Sequence, residues 1–231
     1  MHIPVALHTI GQTPRPDLTP FIMASVNTPL VTVTGALDDA DPAQIPEPDL
    51  SSGHFPLETR LSDGARIETD ASFLEPLIQA QIDKLDEAVE LHLVLCAGPF
   101  PNLKAEGLLI RPFEHACDVF AANGLGDLLV VVPFDSQSDP SAKKWADAGF
   151  STKIRSMDER PAEMQADAWL TEIGADSECD ALVLDYVGYP KAIWTKVADS
   201  ISIPVYDLGY LAAEFAREII DEAKALNTNG G

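Results

Sequence analysis

Short apolar runs, rich in β-branched residues, recur along the chain and alternate with stretches of helix-like composition. The runs are Ile3–Leu7, Leu91–Leu95, Leu128–Val132, Ala181–Leu184 and Ile203–Tyr206. Runs without polar alternation are typical of strands buried on both faces of a parallel sheet. The helices predicted around these strands are Phe73–Glu90, Glu114–Asn123, Ser141–Ala148, Ala162–Gly174 and Tyr210–Ala225. This alternation predicts an α/β fold with right-handed crossover connections.

Residues 25–72 interrupt the alternation. Proline and aspartate are dense from Asp38 to Asp49, which predicts a solvent-exposed loop. Two strand-like segments follow, Phe55–Leu61 and Ala65–Thr69, and between them lies the turn sequence Ser62-Asp63-Gly64. Short strands around such a turn predict a β-hairpin inserted in the α/β chain.

The charge of the chain is its one extreme bulk property. Fifteen basic residues stand against 37 acidic ones, which gives a formal net charge of −22. Such a surface repels nucleic acid and anionic lipid, so neither is expected as a partner, and a small anionic substrate would need a local positive charge. The acidic residues are spread along the chain, which we interpret as a solvated surface. No apolar run reaches the roughly 20 residues that span a bilayer, and the N-terminus lacks a basic region, so we expect no membrane segment and no signal peptide.

Cysteine and histidine usage argues against a metal or disulfide framework. The three cysteines contain no C-x-x-C pair, which favours a reducing compartment, the cytoplasm, and excludes a cysteine-based zinc site. Cys117 and Cys179 read as small buried hydrophobes. The five histidines have no metal-ligand spacing, and packed or solvated positions are expected for His8 and His54. Gly124-Leu125-Gly126 lacks the third glycine of a dinucleotide fingerprint, and no G-x-S-x-G elbow is present.

One weak internal repeat points to two strand ends. Leu93–Pro101 is similar to Leu182–Pro190: each is an apolar strand followed by a small or polar residue, a glycine, an aromatic residue and a proline. Ligands of open α/β sheets bind at the carboxyl ends of the strands. Cys96 and the Asp185-Tyr186 pair are therefore candidate site residues by position. A thiol at a strand end is a competent nucleophile or carbon base once its thiolate is populated.

The end of the first strand is a second candidate region. It reads Thr9-Ile10-Gly11-Gln12-Thr13-Pro14-Arg15-Pro16-Asp17. Gly11 permits a tight turn, Thr13 is expected to cap a following helix, and exposed N–H groups there would favour an anion. Arg15 adds a bidentate donor for a carboxylate. An ordinary βα turn remains the alternative interpretation of this segment.

The same segment, TIGQTPRPD, resembles the AroM family. The resemblance continues through Gly35–Asp38, Phe55–Leu61, Leu95–Pro101, Val132-Pro133 with Gln137 and Lys144-Trp145, and Leu184–Tyr189. Membership of the wider superfamily of aspartate, glutamate and hydantoin racemases would imply two pseudo-symmetric flavodoxin-like halves, residues 1–112 with 207–231 and residues 113–206. It would also imply no cofactor, and a site between the halves in which cysteines at two opposed strand ends move a proton α to a carboxylate.

This sequence departs from the family pattern at the second strand end, which reads Leu184-Asp185-Tyr186 where Leu-Asp-Cys is usual. A thiolate opposite a neutral phenol suits a one-sided reaction, such as isomerisation, decarboxylation, elimination or addition. The resemblance therefore implies Cys96 as nucleophile or base and Tyr186, with Asp185 adjacent, as acid.

The expected carboxylate-binding set is Gly11, Gln12, Thr13, Arg15, Arg60, Ala97, Gly98 and Gly188. Two alternatives stay open: a non-catalytic binder of a small metabolite, and a thiol redox sensor that lacks a nearby resolving cysteine. A homo-oligomer is compatible with the sequence.

Overall fold

The chain divides into two compact units, each built around its own parallel sheet. The computed structural model describes residues 3–49, 55–157, 178–189 and 191–229. By internal contacts, the first unit is Met1–His115 with Gly209–Gly231, and the second is Ala116–Leu208. No helix within these described ranges has both the length and the apolar character needed to cross a bilayer.

The first unit contains a four-stranded parallel sheet, an antiparallel hairpin and the helices around them. Its sheet strands are β1 (Val5–Thr9), β2 (Val31–Gly35), β5 (Leu91–Leu95) and β6 (Leu108–Ile110). The hairpin is β3 (Pro56–Arg60) with β4 (Arg66–Asp70), and the helices are α1 (Thr19–Val26), α2 (Ala71–Leu85) and α6 (Leu208–Asn229). Helix α3 (Pro112–Ala122) runs from this unit into the second.

The second unit contains another four-stranded parallel sheet. Its strands are β7 (Asp127–Val132), β8 (Ser151–Ser156), β9 (Ala181–Leu184) and β10 (Val205–Asp207), and its helices include α4 (Ser138–Asp147) and α5 (Lys191–Ser200). Phe120, Trp145 and Phe150 form an aromatic cluster in this unit, with ring centroids between 5.6 and 6.2 Å apart.

Both sheets have the same strand order. The first reads β2-β1-β5-β6 and the second, taken from its other edge, reads β8-β7-β9-β10. Numbered within each sheet, both orders are 2-1-3-4, so β5 and β9 are equivalent third strands. The repeat segments at Leu93–Pro101 and Leu182–Pro190 therefore begin in equivalent strands, and the α/β class, the two-half architecture and the inserted hairpin are confirmed.

Helix α2 covers the sheet face on which Cys96 is placed. The Asp70 carboxylate accepts a hydrogen bond from the Ser72 N–H at 2.8 Å, which starts the helix. Apolar residues four apart then fall on one side of α2. Leu74, Ile78 and Ile82 are fully buried there in one cluster with Val94 and Cys96. Cys96 is thus held where the core meets the end of β5.

The central strands were predictable, and three of the four edge strands were not. Leu91–Leu95 and Ala181–Leu184 are strands with the predicted bounds, but the first strand is Val5–Thr9 and not Ile3–Leu7. Strands β2, β6 and β8 were missed; each has one sheet neighbour only, and β2 and β8 carry threonine or charged residues. The fourth edge strand, β10, overlaps the predicted run Ile203–Tyr206. Helix α5 was also missed, and α1, expected directly after Thr13, begins at Thr19. Pro42–Gln44 forms a 3-10 helix inside the predicted loop, and the predicted helix Ala162–Gly174 lies outside the described residues.

Two histidines, His8 in β1 and His92 in β5, are buried inside the first sheet and bond to each other. The His8 Nε2 lies 3.0 Å from His92 Nδ1, and its Nδ1 lies 2.8 Å from Thr34 Oγ1. The His92 Nε2 lies 3.3 Å from a carboxylate oxygen of Asp86. Burial, then the neighbouring His92, lowers the pKa of His8 to about 3. Both imidazoles serve as packed hydrogen-bonding groups in a chain from Asp86 to Thr34.

The lowered pKa of His8 predicts that the protein loses stability in mild acid. An unfolded histidine binds a proton below about pH 6.5 while folded His8 does not, so the free energy of unfolding should fall with pH by about 1.4 kcal/mol per unit from this one group. Denaturant melts of the wild type and His8→Gln between pH 6 and 4 check this. The variant should start less stable at pH 7 and show a shallower slope, and equal slopes would contradict the assignment.

Candidate functional site

Cys96 follows directly after β5 and receives a backbone hydrogen bond. The Gly98 N–H donates to the Cys96 Sγ at 3.3 Å, and the side chain is 6% exposed. A Cβ at position 98 would come within 3.0 Å of the Leu57 side chain and 3.4 Å of the Cys96 Sγ. A side chain here would press on the end of the Leu57 side chain, and Ala97 in the same turn is buried as well.

The turn after β1 is closely packed against the hairpin and the β2 loop. The Gln12 N–H donates to the Arg60 carbonyl at 3.0 Å, and the Gln12 side chain bonds the Leu37 carbonyl and the Ser62 N–H at 3.0 and 2.9 Å. The Thr13 N–H and hydroxyl both donate to one oxygen of Asp38, at 2.6 and 3.0 Å. The N–H groups that the sequence offered to an anion are thus already engaged within the chain.

The expected role of Thr13 as a helix cap was wrong. Helix α1 begins at Thr19, six residues further on, and its N-cap residue, Leu18, makes no side-chain capping bond. Thr13 instead anchors Asp38, whose other oxygen accepts from the Gly35 N–H at 2.7 Å. Asp38 was missed because a carboxylate in an aspartate-rich loop gives no local sign of its partners 25 residues away.

Three more charged side chains, besides Asp38, lie beside this turn. Both oxygens of Asp17 accept hydrogen bonds from Arg15, at 2.9 and 2.8 Å, and the Arg60 Nε lies 3.5 Å from Asp17 Oδ2. The Arg15 side chain is 7% exposed and that of Arg60 is 37% exposed. Two guanidinium groups surround the Asp17 carboxylate, and Arg60 is the more exposed of the two.

At the end of β9, Asp185 is a fully engaged buried carboxylate. It accepts hydrogen bonds from the Lys144 ammonium at 2.8 Å, the Ser141 hydroxyl at 2.6 Å and the Trp145 indole N–H at 2.9 Å. Asp185 and Lys144 side chains are 2% and 4% exposed. All three donors come from α4. Such bonding suits Asp185 to holding the end of β9 in place, and it leaves the carboxylate poorly available for proton transfer.

Tyr186 follows Asp185 and is half-buried. Its ring makes an edge contact with Tyr189, with centroids 5.1 Å apart, and Gly188 between them has a φ of 135°. A Cβ at position 188 would lie 3.1 Å from the Tyr186 ring, so glycine is required on two counts. Tyr189 is buried, and desolvation, followed by the charges of Tyr186, Asp207 and Asp185, raises the pKa of its phenol. Tyr189 is thereby kept a neutral phenol.

Sequence reasoning missed the partners of Asp185 for a simple reason. Lys144 and Trp145 belong to a segment of the family resemblance, but 41 and 40 residues separate them from Asp185. No local pattern connects residues so far apart. Within the described part of the chain, no cluster of histidine, cysteine and acidic side chains is arranged to hold a metal ion.

The buried ion pair predicts a large stability difference between adjacent lysines. Lys144→Met strands a charged Asp185 in the core and should cost about 3–5 kcal/mol of unfolding free energy. Lys143→Met, which removes an exposed lysine paired with Asp147 on the same helix, should cost less than about 1 kcal/mol. Chemical denaturation of both variants measures the difference. Adding Asp185→Asn to Lys144→Met should recover part of the loss, and equal effects of the two lysine variants would contradict the assignment.

Comparison with known proteins shows where this fold occurs. Arylmalonate decarboxylase aligns over 94% of this chain and 92% of its own, with a TM-score of 0.63 at 12% identity. An aspartate racemase homologue from Pyrococcus horikoshii OT3 aligns over 94% and 99%, with a TM-score of 0.58 at 10% identity. The maleate isomerase Iso from Pseudomonas putida S16 aligns over 94% and 93%, with a TM-score of 0.57 at 15% identity.

At these identities the likeness establishes the fold: two α/β halves of the racemase type. No curated protein matches the sequence significantly. The family model described as AroM protein matches residues 5–220, which is nearly the whole chain. The protein belongs to the AroM family.

Proposed function

We propose that the protein is an enzyme that acts on a small carboxylic acid without a cofactor, as an isomerase, racemase or lyase, with Cys96 at the centre of its chemistry. The observation that carries this proposal is the position of Cys96, directly after the third strand of the first unit and with a backbone N–H on its sulfur. Support comes from the fold, since the similar structures include a maleate isomerase and an arylmalonate decarboxylase.

In the proposed reaction the Cys96 thiolate removes a proton from the carbon next to the carboxylate and becomes a thiol. The electron pair left on carbon is delocalised into the carboxylate, and the Tyr186 phenol returns a proton to carbon from the opposite side. The phenolate then regains a proton from solvent and the thiol loses one. In the lyase version the carbon–carbon bond to a carboxylate breaks, carbon dioxide leaves, and the carbon that keeps the electron pair takes its proton from Tyr186 or Cys96.

The proposed binding role falls mainly on the arginines. Arg60 and Arg15 supply the positive charge that an anionic substrate needs near a chain of net charge −22. Gly11, Gln12 and Thr13 shape the turn beside them, and Ala97, Gly98 and Gly188 let substrate approach the two strand ends. Asp185, expected as a partner acid, is reassigned to holding the end of β9 because its oxygens carry three donors. We place the enzyme in the cytoplasm, where its three cysteines would stay reduced.

A second candidate is a non-catalytic binder of a small carboxylate. It is favoured by Tyr186, which stands where the family usually has a second cysteine, and by the 6% exposure of Cys96. Both candidates share the ligand class and differ in whether the thiol reacts.

The shared ligand class predicts stabilisation by a carboxylate. A panel of maleate, malonate, phenylmalonate, lactate, aspartate and glutamate, the last two as both enantiomers, should contain at least one compound that raises the melting temperature. A ligand at 100 times its Kd adds about 2.7 kcal/mol of stability. Arg60→Gln should reduce the shift, whereas Arg66→Gln, which removes an exposed arginine from the same hairpin, should not. A flat response across the panel would count against both candidates.

The enzyme candidate also predicts an inverted order of thiol reactivity. By exposure alone the half-buried Cys117 should react with iodoacetamide before the buried Cys96 and Cys179. The proposal requires Cys96 to react first near pH 7.5 and to be protected by the stabilising carboxylate, because only a populated thiolate attacks. Peptide mass spectrometry over a time course gives the order.

Cys96→Ser should abolish turnover while melting within a few degrees of the wild type, since serine keeps the size of the side chain. If Cys96 is alkylated last and unprotected, the non-catalytic binder becomes the better description.

A further inference from the structure

The acidic residue between the two arginines is not part of the expected binding set. Asp17 accepts two hydrogen bonds from Arg15, at 2.9 and 2.8 Å, and an ion pair from the Arg60 Nε at 3.5 Å. Its pKa is lowered, chiefly by the Arg15 hydrogen bond, so it is charged at neutral pH. A carboxylate beside a site for carboxylates opposes binding by simple charge repulsion. Its presence there needs another reason.

The two arginines differ in what they have left to offer. Arg15 is buried, uses Nε and Nη2 on Asp17, and its carbonyl accepts from the N–H groups of Leu18 and Thr19 at 3.2 and 2.9 Å. Arg60 is 37% exposed and contacts Asp17 through Nε. Among the described residues its Nη groups have no hydrogen-bond partner. Arg15 is therefore the inner support, and Arg60 has the donors that a ligand can use.

The backbone of Arg60 is fixed independently of its side chain. A Cβ at position 11 would lie 2.4 Å from the Arg60 carbonyl oxygen and 2.5 Å from the Thr59 hydroxyl, so the hairpin reaches the β1 turn only because residue 11 is glycine. The Gln12 N–H then bonds that same carbonyl. The main chain is held at one end, and at the other the guanidinium has one described contact, the ion pair from Nε to Asp17 at 3.5 Å.

We infer that Asp17 is a positioning residue, which holds Arg60 by its Nε so that both Nη groups face the carboxylate of the substrate. The inference rests on the proposed function and names how that site recognises its ligand. A guanidinium oriented beforehand loses less side-chain freedom on binding and can present two parallel donors to one carboxylate. The ligand class is a carboxylate that receives one bidentate arginine contact.

The test exploits two effects of opposite sign. If Asp17 acts only through its charge, Asp17→Asn should tighten the binding of an anion; if it positions Arg60, binding should weaken, by about threefold to fivefold for loss of a partly exposed ion pair. The Kd is measured by calorimetry with the panel carboxylate that gives the largest thermal shift. Asp39→Asn is the matched control, since it removes an 82% exposed carboxylate paired with the exposed Lys84. The control Kd should stay within about twofold, as expected for a screened surface charge.

A second variant covers the case in which Asp17→Asn fails to fold because buried Arg15 loses its partner. Asp17→Glu keeps the charge and a partner for Arg15 but moves the carboxylate by one methylene. If Asp17 positions Arg60, the Asp17→Glu variant should bind the carboxylate with a higher Kd. If Asp17 acts only through its charge, the Kd should not change.

Wild-type protein that binds no carboxylate of the panel overturns the proposed function together with this inference. Wild-type binding that is retained or tightened in Asp17→Asn, or unchanged in Asp17→Glu, overturns the inference alone.

Discussion

Strands that are buried on both faces must satisfy every polar side chain within the sheet, so side chains that are to meet a ligand lie at the strand ends, and the placement of the candidate site follows from that constraint. Strands β5 and β9 are buried along their whole length, and their one polar residue, His92, is bonded to His8. The first position free of this requirement is the residue after the strand, which is Cys96 in one unit and Asp185 in the other. Each half thus has one place where the fold delivers a reactive or charged side chain with fixed geometry.

The two halves have different side chains, with different contacts, at the position after the third strand. In the first, the small side chain of Cys96 accepts a hydrogen bond from the Gly98 N–H and packs against the core. In the second, Asp185 is locked by three side-chain donors from α4, and the adjacent Tyr186 is left half-buried against Tyr189. The common strand order shows how similar the scaffolds are, so the asymmetry lies in the side chains.

Local pattern determined how much could be predicted. The central strands and α2 follow from apolar periodicity, and the hairpin follows from Ser62-Asp63-Gly64, because each signal lies within one short segment. Strand β8, with the sequence Ser-Thr-Lys-Ile-Arg-Ser, gives no such signal, since an edge strand can expose charged side chains. Cys96 could be singled out by its position after a strand. The bonds from Lys144 to Asp185 and from Thr13 to Asp38 could not, because they join segments that only tertiary packing brings together.

The side chain of Gln12 joins the hairpin to the loop after β2. Its amide spans two segments, with the nitrogen on the Leu37 carbonyl and the oxygen on the Ser62 N–H, while its own main chain holds Arg60. The hairpin and the loop after β2 are therefore both hydrogen-bonded to Gln12. Because both segments depend on hydrogen bonds to one residue, a substitution at Gln12 would loosen the hairpin and the loop after β2 together.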